Sequence, residues 1–466
     1  MPLRLVALLV LLLAAATPAA AQTRVVPETK QQLQLSFAPV VKRVAPAVVN
    51  VYAIRTVRQQ GLSPMFDDPL FKRFFGDGPL GMPKERMESS LGSGVIIDRS
   101  GLIVTNHHVI KDATEVKIAM SDRREFEADI VLKDDRTDLA ILRIKERGDY
   151  PFAEFGDSDQ VEVGDIVLAI GNPFGVGQTV TQGIVSALAR TQVGVSDFRF
   201  FIQTDAAINP GNSGGALVDV NGRLVGVPTA IFSRSGGSIG IGFAIPVAMV
   251  KFVAEQARNG GTLRRPWLGA TLQTVTPDMA ESLGLKRPQG VIVSGLNAAG
   301  PAARAGLKVG DLVVSIEGVE VDDPDSFGYR FSTRPLGGVA RLAVLRQGRP
   351  QTIEIALAAA PETVPRDERT IQGGSPFQGA TVVNLSPAVA EELRFNGTAE
   401  GVIVKTVTEG SAAARVGFQK GDVVVEVNGV KIDSTRTLER VSQSDPGLWR
   451  LAIQRDGQVV RLAFRG

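Results

Sequence analysis

From residue 37 to about residue 257 the apolar positions fall in short runs, most of them cut off by Gly, Asn or Asp: Ala47-Val-Val-Asn-Val-Tyr52, Gly94-Val-Ile-Ile97, Leu102-Ile-Val-Thr105, Glu115-Val-Lys-Ile-Ala119, Leu139-Ala-Ile-Leu142 and Ile166-Val-Leu-Ala-Ile170. Runs this short and this rich in β-branched residues predict strands, and a long succession of them predicts barrels or sandwiches. The pattern turns helical from Pro246 to Arg258, and Asn259-Gly-Gly261 ends that helix. One stretch, 56–90, breaks the rhythm with Met65-Phe-Asp-Asp-Pro-Leu-Phe-Lys-Arg-Phe-Phe75, an apolar, aromatic loop of the kind that moves or meets a partner.

The remainder of the chain repeats itself. Ala303-Arg-Ala-Gly-Leu-Lys-Val-Gly-Asp311 returns 111 residues later as Ala414-Arg-Val-Gly-Phe-Gln-Lys-Gly-Asp422. Two copies are too few for a solenoid, so two independent small modules are expected. The predicted organisation is mainly β: a first domain at 35–262 that contains the 56–90 insertion, a module at 264–360, a flexible linker at 361–375 and a second module at 376–466.

At the N-terminus Arg4 precedes an apolar run from Leu5 to Ala16, and Ala19-x-Ala21 supplies a small-residue cleavage site. Residues 1–21 therefore read as an export signal, with the mature chain beginning near Gln22. The run is short for a membrane span and no later run is longer, so no stable membrane anchor is expected. The chain has no cysteine. Disulfides, thiol nucleophiles and thiolate metal sites are thereby excluded, and with an export signal this fits a periplasm. Fifty-one basic against 49 acidic residues leave a net charge of +2. With no basic stripe carrying interleaved aromatics, no nucleic-acid partner is implied. Neither a Gly-x-x-x-x-Gly-Lys-Ser/Thr loop nor a His-Glu-x-x-His pair occurs, so neither ATP-driven nor metal-dependent chemistry is indicated, and no cofactor is expected.

The strongest chemical signal is Asp205-Ala-Ala-Ile-Asn-Pro-Gly-Asn-Ser213-Gly-Gly-Ala-Leu217. Glycines on both sides of a serine let backbone N–H groups converge on one point, as an oxyanion hole requires. The chain's two histidines, His107 and His108, stand side by side where an apolar run ends. If the strand continued through them their rings would face opposite ways, so only one could serve Ser213 as base. Asp138, polar before the apolar run Leu139-Ala-Ile-Leu142, is the candidate acid; Asp134 and Asp135, in a Lys-Asp-Asp-Arg run, read as a solvated turn. The order His, Asp, Ser is that of two-barrel serine proteases.

Thr105-Asn-His-His-Val109, Thr137-Asp-Leu-Ala140, Gly211-Asn-Ser-Gly-Gly215 and Ile239-Gly-Ile-Gly-Phe-Ala-Ile-Pro246 resemble the motifs of exported HtrA-family serine proteases of the DegP/DegQ (Do) type, and each C-terminal repeat resembles a PDZ domain. The resemblance spans essentially the whole mature chain. It implies a chymotrypsin-like double β-barrel followed by two small α+β PDZ sheets, and an ATP-independent periplasmic serine endopeptidase acting on unfolded exported proteins. It makes His108, the histidine followed by Val, the base, with Asp138 orienting it, Ser213 as nucleophile, and the N–H groups of Gly211, Asn212 and Ser213 around the oxyanion. Ile208 and Ile231 would line the primary substrate pocket. Pro228 stands where the family commonly has Asn and would remove one backbone donor from a strand that pairs with substrate.

The resemblance further implies that peptide C-termini bind loops at Trp267, Leu268 and Gly269 in the first PDZ domain and at Phe377, Gln378 and Gly379 in the second. Such peptides would activate the protease through the loop that starts at Arg190. It also implies homotrimers built through residues 35–45, with hexamers or larger cages reached through the phenylalanines of the insertion. The competing class is an exported PDZ chaperone or scaffold that binds unfolded chains without cutting them; it would need a broken triad, and all three members are present.

Overall fold

The computed structural model describes residues 36–465 apart from 59–84, 173–176, 191–199, 210, 232–236, 262, 396, 398–399 and 445. The expected export signal at 1–21, the aromatic insertion at 65–75 and the loop after Arg190 lie outside the described residues, as does the side chain of Arg190 itself.

A short helix, α1 (Ala38–Val44), leads into β1 (Val48–Arg58), β2 (Glu85–Ile96), β3 (Leu102–Asn106), β4 (Glu115–Ala119), β5 (Glu125–Asp134) and β6 (Leu139–Ile144), which close a barrel in the order β1-β2-β3-β6-β5-β4. A second barrel, ordered β7-β8-β9-β12-β11-β10, is built from β7 (Ile166–Gly171), β8 (Thr179–Arg190), β9 (Phe201–Thr204), β10 (Ala216–Asp219), β11 (Leu224–Ile231) and β12 (Gly242–Pro246). The two ends of the 56–90 stretch continue the β1–β2 ladder out to Arg58 and Glu85. The helix expected after Pro246 is α2 (Val247–Arg258), with Asn259 at its C-cap.

Strand alternation explains why the two barrels abut. Along β3, Ile103 faces the interior of the first barrel while Leu102 and Val104 face the core shared between barrels; along β6, Ala140 and Leu142 point inward while Leu139 and Ile141 point to the shared core. In the second barrel Val167 and Ala169 point inward, whereas Leu168 and Ile170 join the shared core together with Phe243, Ile245 and the buried face of α2. Strands buried on both faces read as continuous apolar runs, and their period of two sorts one run into two cores.

The first C-terminal module is a six-stranded sheet of β13 (Ala270–Thr274), β14 (Val291–Leu296), β15 (Leu312–Ile316), β16 (Val319–Glu320), β17 (Val339–Arg346) and β18 (Arg349–Ala356), with α3 (Pro277–Ser282), α4 (Pro301–Arg304) and α5 (Pro324–Ser332). The second repeats that plan with β19 (Arg369–Thr370), β20 (Ala380–Asn384), α6 (Pro387–Leu393), β21 (Val402–Val407), α7 (Ala412–Val416), β22 (Val423–Val427), β23 (Val430–Lys431), α8 (Thr435–Ser442), β24 (Leu448–Arg455) and β25 (Gln458–Arg465). The aspartates of the repeated signature do equivalent work: Asp311 accepts from Arg346 at 2.6 Å and from the Lys308 N–H, and Asp422 accepts from Arg455 at 2.7 Å and from the Gln419 N–H.

The 361–375 stretch is not the flexible linker its composition suggests. Arg369 and Thr370 pair with β20, Ile371 is fully buried in the second module's core, and Arg366 bridges Glu362 and Glu392. Its Pro and charged residues are spent on fastening the segment to the module rather than on solvating it. The first module also docks on the barrels: Tyr329 of α5 is buried in the shared core and stacks on Phe200 with ring centroids 4.0 Å apart and planes at 7°.

Candidate active site

The strand carrying the histidines stops one residue before them. β3 ends at Asn106, His107 forms a turn, and His108 opens a single 3-10 turn through Ile110. The rings are thus separated by a bend rather than by strand alternation. Asp138 organises this bend with φ +57°, a left-handed conformation that costs a non-glycine residue energy and persists only where its surroundings over-determine it. Its carbonyl accepts from the His107 N–H and from Asn106 Nδ2, both at 3.0 Å. Its carboxylate accepts the His108 N–H at 2.9 Å through Oδ1, while Oδ2 lies 2.7 Å from His108 Nδ1. The same Oδ2 takes the hydroxyl of Thr229 at 2.5 Å. Between the two histidines, the structure therefore pairs His108 with the carboxylate; its side chain is 46% exposed, while that of Asp138 is 9% exposed.

The solvated turn expected at Asp134 and Asp135 is half right. Asp135 is exposed and pairs with Arg394 of the second module at 2.8 Å. Asp134 is buried, accepts from the hydroxyl of Thr137, and meets the buried Arg265 at 2.5 Å. Burial pushes the Arg265 guanidinium down from its usual value, and Asp134 partly offsets this. The composition of the run conceals a buried pair because the residue that buries Asp134 lies more than a hundred positions away.

Ser213 sits in the turn before β10, between Gly211 at φ +101° and Gly214 at φ +81°. A side chain at Gly214 is impossible: a Cβ there would stand 2.1 Å from the Ser93 carbonyl. Among the described residues the N–H groups of Gly211 and Ser213 have no acceptor, which leaves them available to an oxyanion. The Asn212 N–H, expected to be a third donor, is not available; it donates to Asn209 O at 3.0 Å, because its peptide plane is turned away from those of its neighbours. The Ser213 hydroxyl lies 3.5 Å from the Thr229 carbonyl, so Thr229 touches both Asp138 and Ser213. Sequence reasoning missed Thr229, whose signal was its place in Val225-Gly-Val-Pro-Thr-Ala-Ile231, next to Pro228. That proline pairs with Ala244 at the edge of the bulge where the β11–β12 register shifts, and its carbonyl accepts the Gly214 N–H at 2.9 Å.

Ile208 and Ile231 come together around Gly242: Ile231 pairs with it across β11 and β12, and Ile208 Cδ1 would lie 2.7 Å from a Cβ placed there. In the first C-terminal module Gly269 has φ +69°, and the Leu268 and Gly269 N–H groups have no acceptor among the described residues. The Trp267 N–H is used by Ala358 O at 2.8 Å and is not part of that donor set. The matching loop of the second module is closed, contrary to expectation. Gln378 N–H donates to Ser375 O, Gly379 N–H to Ile371 O and Ala380 N–H to Phe377 O, all at 2.9–3.0 Å, and Phe377 is buried against Phe418 and Trp449.

Residues 92–227 match a trypsin-like peptidase domain, and residues 266–357 and 403–455 each match a PDZ domain. Among curated proteins, the chain is 37% identical to the periplasmic pH-dependent serine endoprotease DegQ of Escherichia coli (strain K12), covering 92% of this chain and 91% of that protein. It is 38% identical to a probable periplasmic serine endoprotease DegP-like of Pseudomonas fulva, covering 88% of each. Among solved structures, the HtrA-type protease AlgW with decapeptide is 45% identical, with a TM-score of 0.54 over 70% of this chain and 99% of that one. Paired barrels that match a trypsin-like peptidase domain, followed by two PDZ domains, define a PDZ-bearing serine endopeptidase. Within that class the chain belongs to the HtrA family of DegP/DegQ serine endoproteases.

Proposed function

We propose that Ser213, His108 and Asp138 carry the endopeptidase reaction. The observation that bears most on this is the 2.7 Å contact between His108 Nδ1 and Asp138 Oδ2, tied through Thr229 to Ser213, whose own N–H and that of Gly211 have no acceptor among the described residues. Ser213 Oγ attacks the peptide carbonyl, His108 Nε2 takes its proton and returns it to the leaving amine, and Asp138 holds the imidazole with Nδ1 protonated and stabilises the imidazolium. The Gly211 and Ser213 N–H groups receive the charge that develops on the carbonyl oxygen.

In this reading the protein is exported to the periplasm, as the names of its relatives say of them, and cuts unfolded or misfolded exported polypeptides without ATP. Among the described residues no helix is long and apolar enough to cross a membrane. The catalytic domain is assigned to 35–262 and the PDZ domains to 264–360 and, starting earlier than composition suggested, to about 366–466. Ile208 and Ile231 favour a small or β-branched aliphatic side chain before the scissile bond. The first PDZ domain captures peptide C-termini on the Leu268 and Gly269 N–H groups, the peptide joining the sheet as a strand. Tyr329 stacked on Phe200 offers a route from that module to the strand after the Arg190 loop. A homotrimer through 35–45 completes the proposal. Cleavage mapping on unfolded casein, with sedimentation of the Ser213→Ala protein, tests it: cuts after Val, Ile or Ala by a trimer are expected.

A further inference from the structure

We infer that Ser93 is a positioning residue of the reaction, its hydroxyl fixing from the first barrel the backbone that presents the oxyanion donors on the second. The inference rests on the reading of Ser213 as nucleophile. Ser93 lies on β2 and is fully buried. Its Oγ donates to Gly211 O at 2.6 Å and accepts the Asn172 N–H at 2.9 Å. Its N–H donates to Ser213 O at 2.9 Å, and its carbonyl accepts the Thr105 hydroxyl at 2.7 Å.

The consequence follows from peptide planarity. In a trans peptide the C=O and N–H point opposite ways. Pinning Gly211 O against Ser93 turns the Asn212 N–H to Asn209 O, and pinning Ser213 O turns the Gly214 N–H to Pro228 O. The peptide between these two clamped planes has its carbonyl, Asn212 O, taken by the Gly215 N–H at 2.9 Å, so the Ser213 N–H is left pointing away from every internal acceptor described. A hydroxyl has one proton to donate and lone pairs to accept with, so it can bridge two partners. Ser93 uses both and joins two separate segments of the second barrel at Gly211 and Asn172, and Asn172 Oδ1 in turn accepts the Gly177 N–H at 3.0 Å.

The test is Ser93→Ala, which keeps the backbone bond to Ser213 and removes only the hydroxyl. With a peptide substrate, kcat falls about tenfold at unchanged KM, less than the loss of a whole oxyanion donor. The Ki of a peptide boronic acid, whose tetrahedral oxygen takes the oxyanion position, rises by the same factor. The pH profile keeps its shape, since the His108–Asp138 pair is untouched. Because Ki is read on whatever enzyme remains active, a partly unfolded preparation still decides the question. A fall in kcat with Ki unchanged means only a smaller folded fraction and overturns the assignment, as does a wild-type kcat; a displaced pH profile puts the damage at His108 and overturns it too. Ser213→Ala, run in parallel, separates the two readings: if it still cleaves, the active-site proposal has failed, whereas if it is inactive and Ser93→Ala behaves as wild type, only the role of Ser93 has.

Discussion

Arg265, which leads the chain out of the barrels, holds Asp134 at 2.5 Å, four residues before Asp138. Breaking a buried pair from one side leaves an uncompensated charge, so Arg265→Ala is expected to cost about 3 kcal/mol. Because Asp134 also receives the Thr137 hydroxyl, the same change loosens the turn bearing Asp138 and lowers kcat. Urea denaturation and casein turnover measure both effects. The double variant Asp134→Leu/Arg265→Met regains most of the stability, since neither charge then remains.

Thr229→Val removes the hydroxyl from Asp138 while conserving volume. With about 1 kcal/mol of hydrogen bonding lost from the carboxylate, kcat falls about fivefold and KM stays constant. Steady-state kinetics on a peptide substrate read this directly; an unchanged kcat would assign Thr229 to packing alone.

Tyr329 couples the first PDZ domain to the barrels, supported by Arg330 over the Phe200 ring at 5.7 Å and beside Asp159 at 3.4 Å. Truncating a buried aromatic in a core costs about 3 kcal/mol or more, so Tyr329→Ala frees the module. Small-angle scattering shows a larger particle, and activation by a C-terminal peptide is lost while its binding to the PDZ domain persists.

Burial alone would raise the pKa of Asp311, but the Arg346 guanidinium and the Lys308 N–H outweigh it and hold the carboxyl below the usual carboxylate range. A depressed carboxylate stabilises the fold fully above its unfolded pKa and loses that contribution as the pH falls through the folded value. The first PDZ domain therefore melts lower at about pH 3 than at neutrality. Asp311→Asn melts lower at neutral pH and shows a flatter dependence on acid, both measurable by calorimetry.

The barrels were legible because period two and β-branched runs are local properties, and the pairing of His108 with Asp138 was legible because each sits in a short motif, as Ser213 does. What escaped was set by distant partners. Asp134 looked solvated because Arg265 was unseen, and the 361–375 segment looked flexible because its ties to Glu392 and Glu439 lie downstream. The Asn212 and Gln378 N–H groups looked free because a peptide plane's direction is not written in residue type. Thr229 and Ser93 carry small hydroxyls whose contacts are made across the barrel interface.

The most direct measurement is degradation of unfolded casein, without ATP, by the purified mature protein and by its Ser213→Ala variant at equal folded concentration. The account predicts rapid cleavage by the first and none above background by the second, with the thermal melt unchanged. Cleavage that survives in the variant would contradict it.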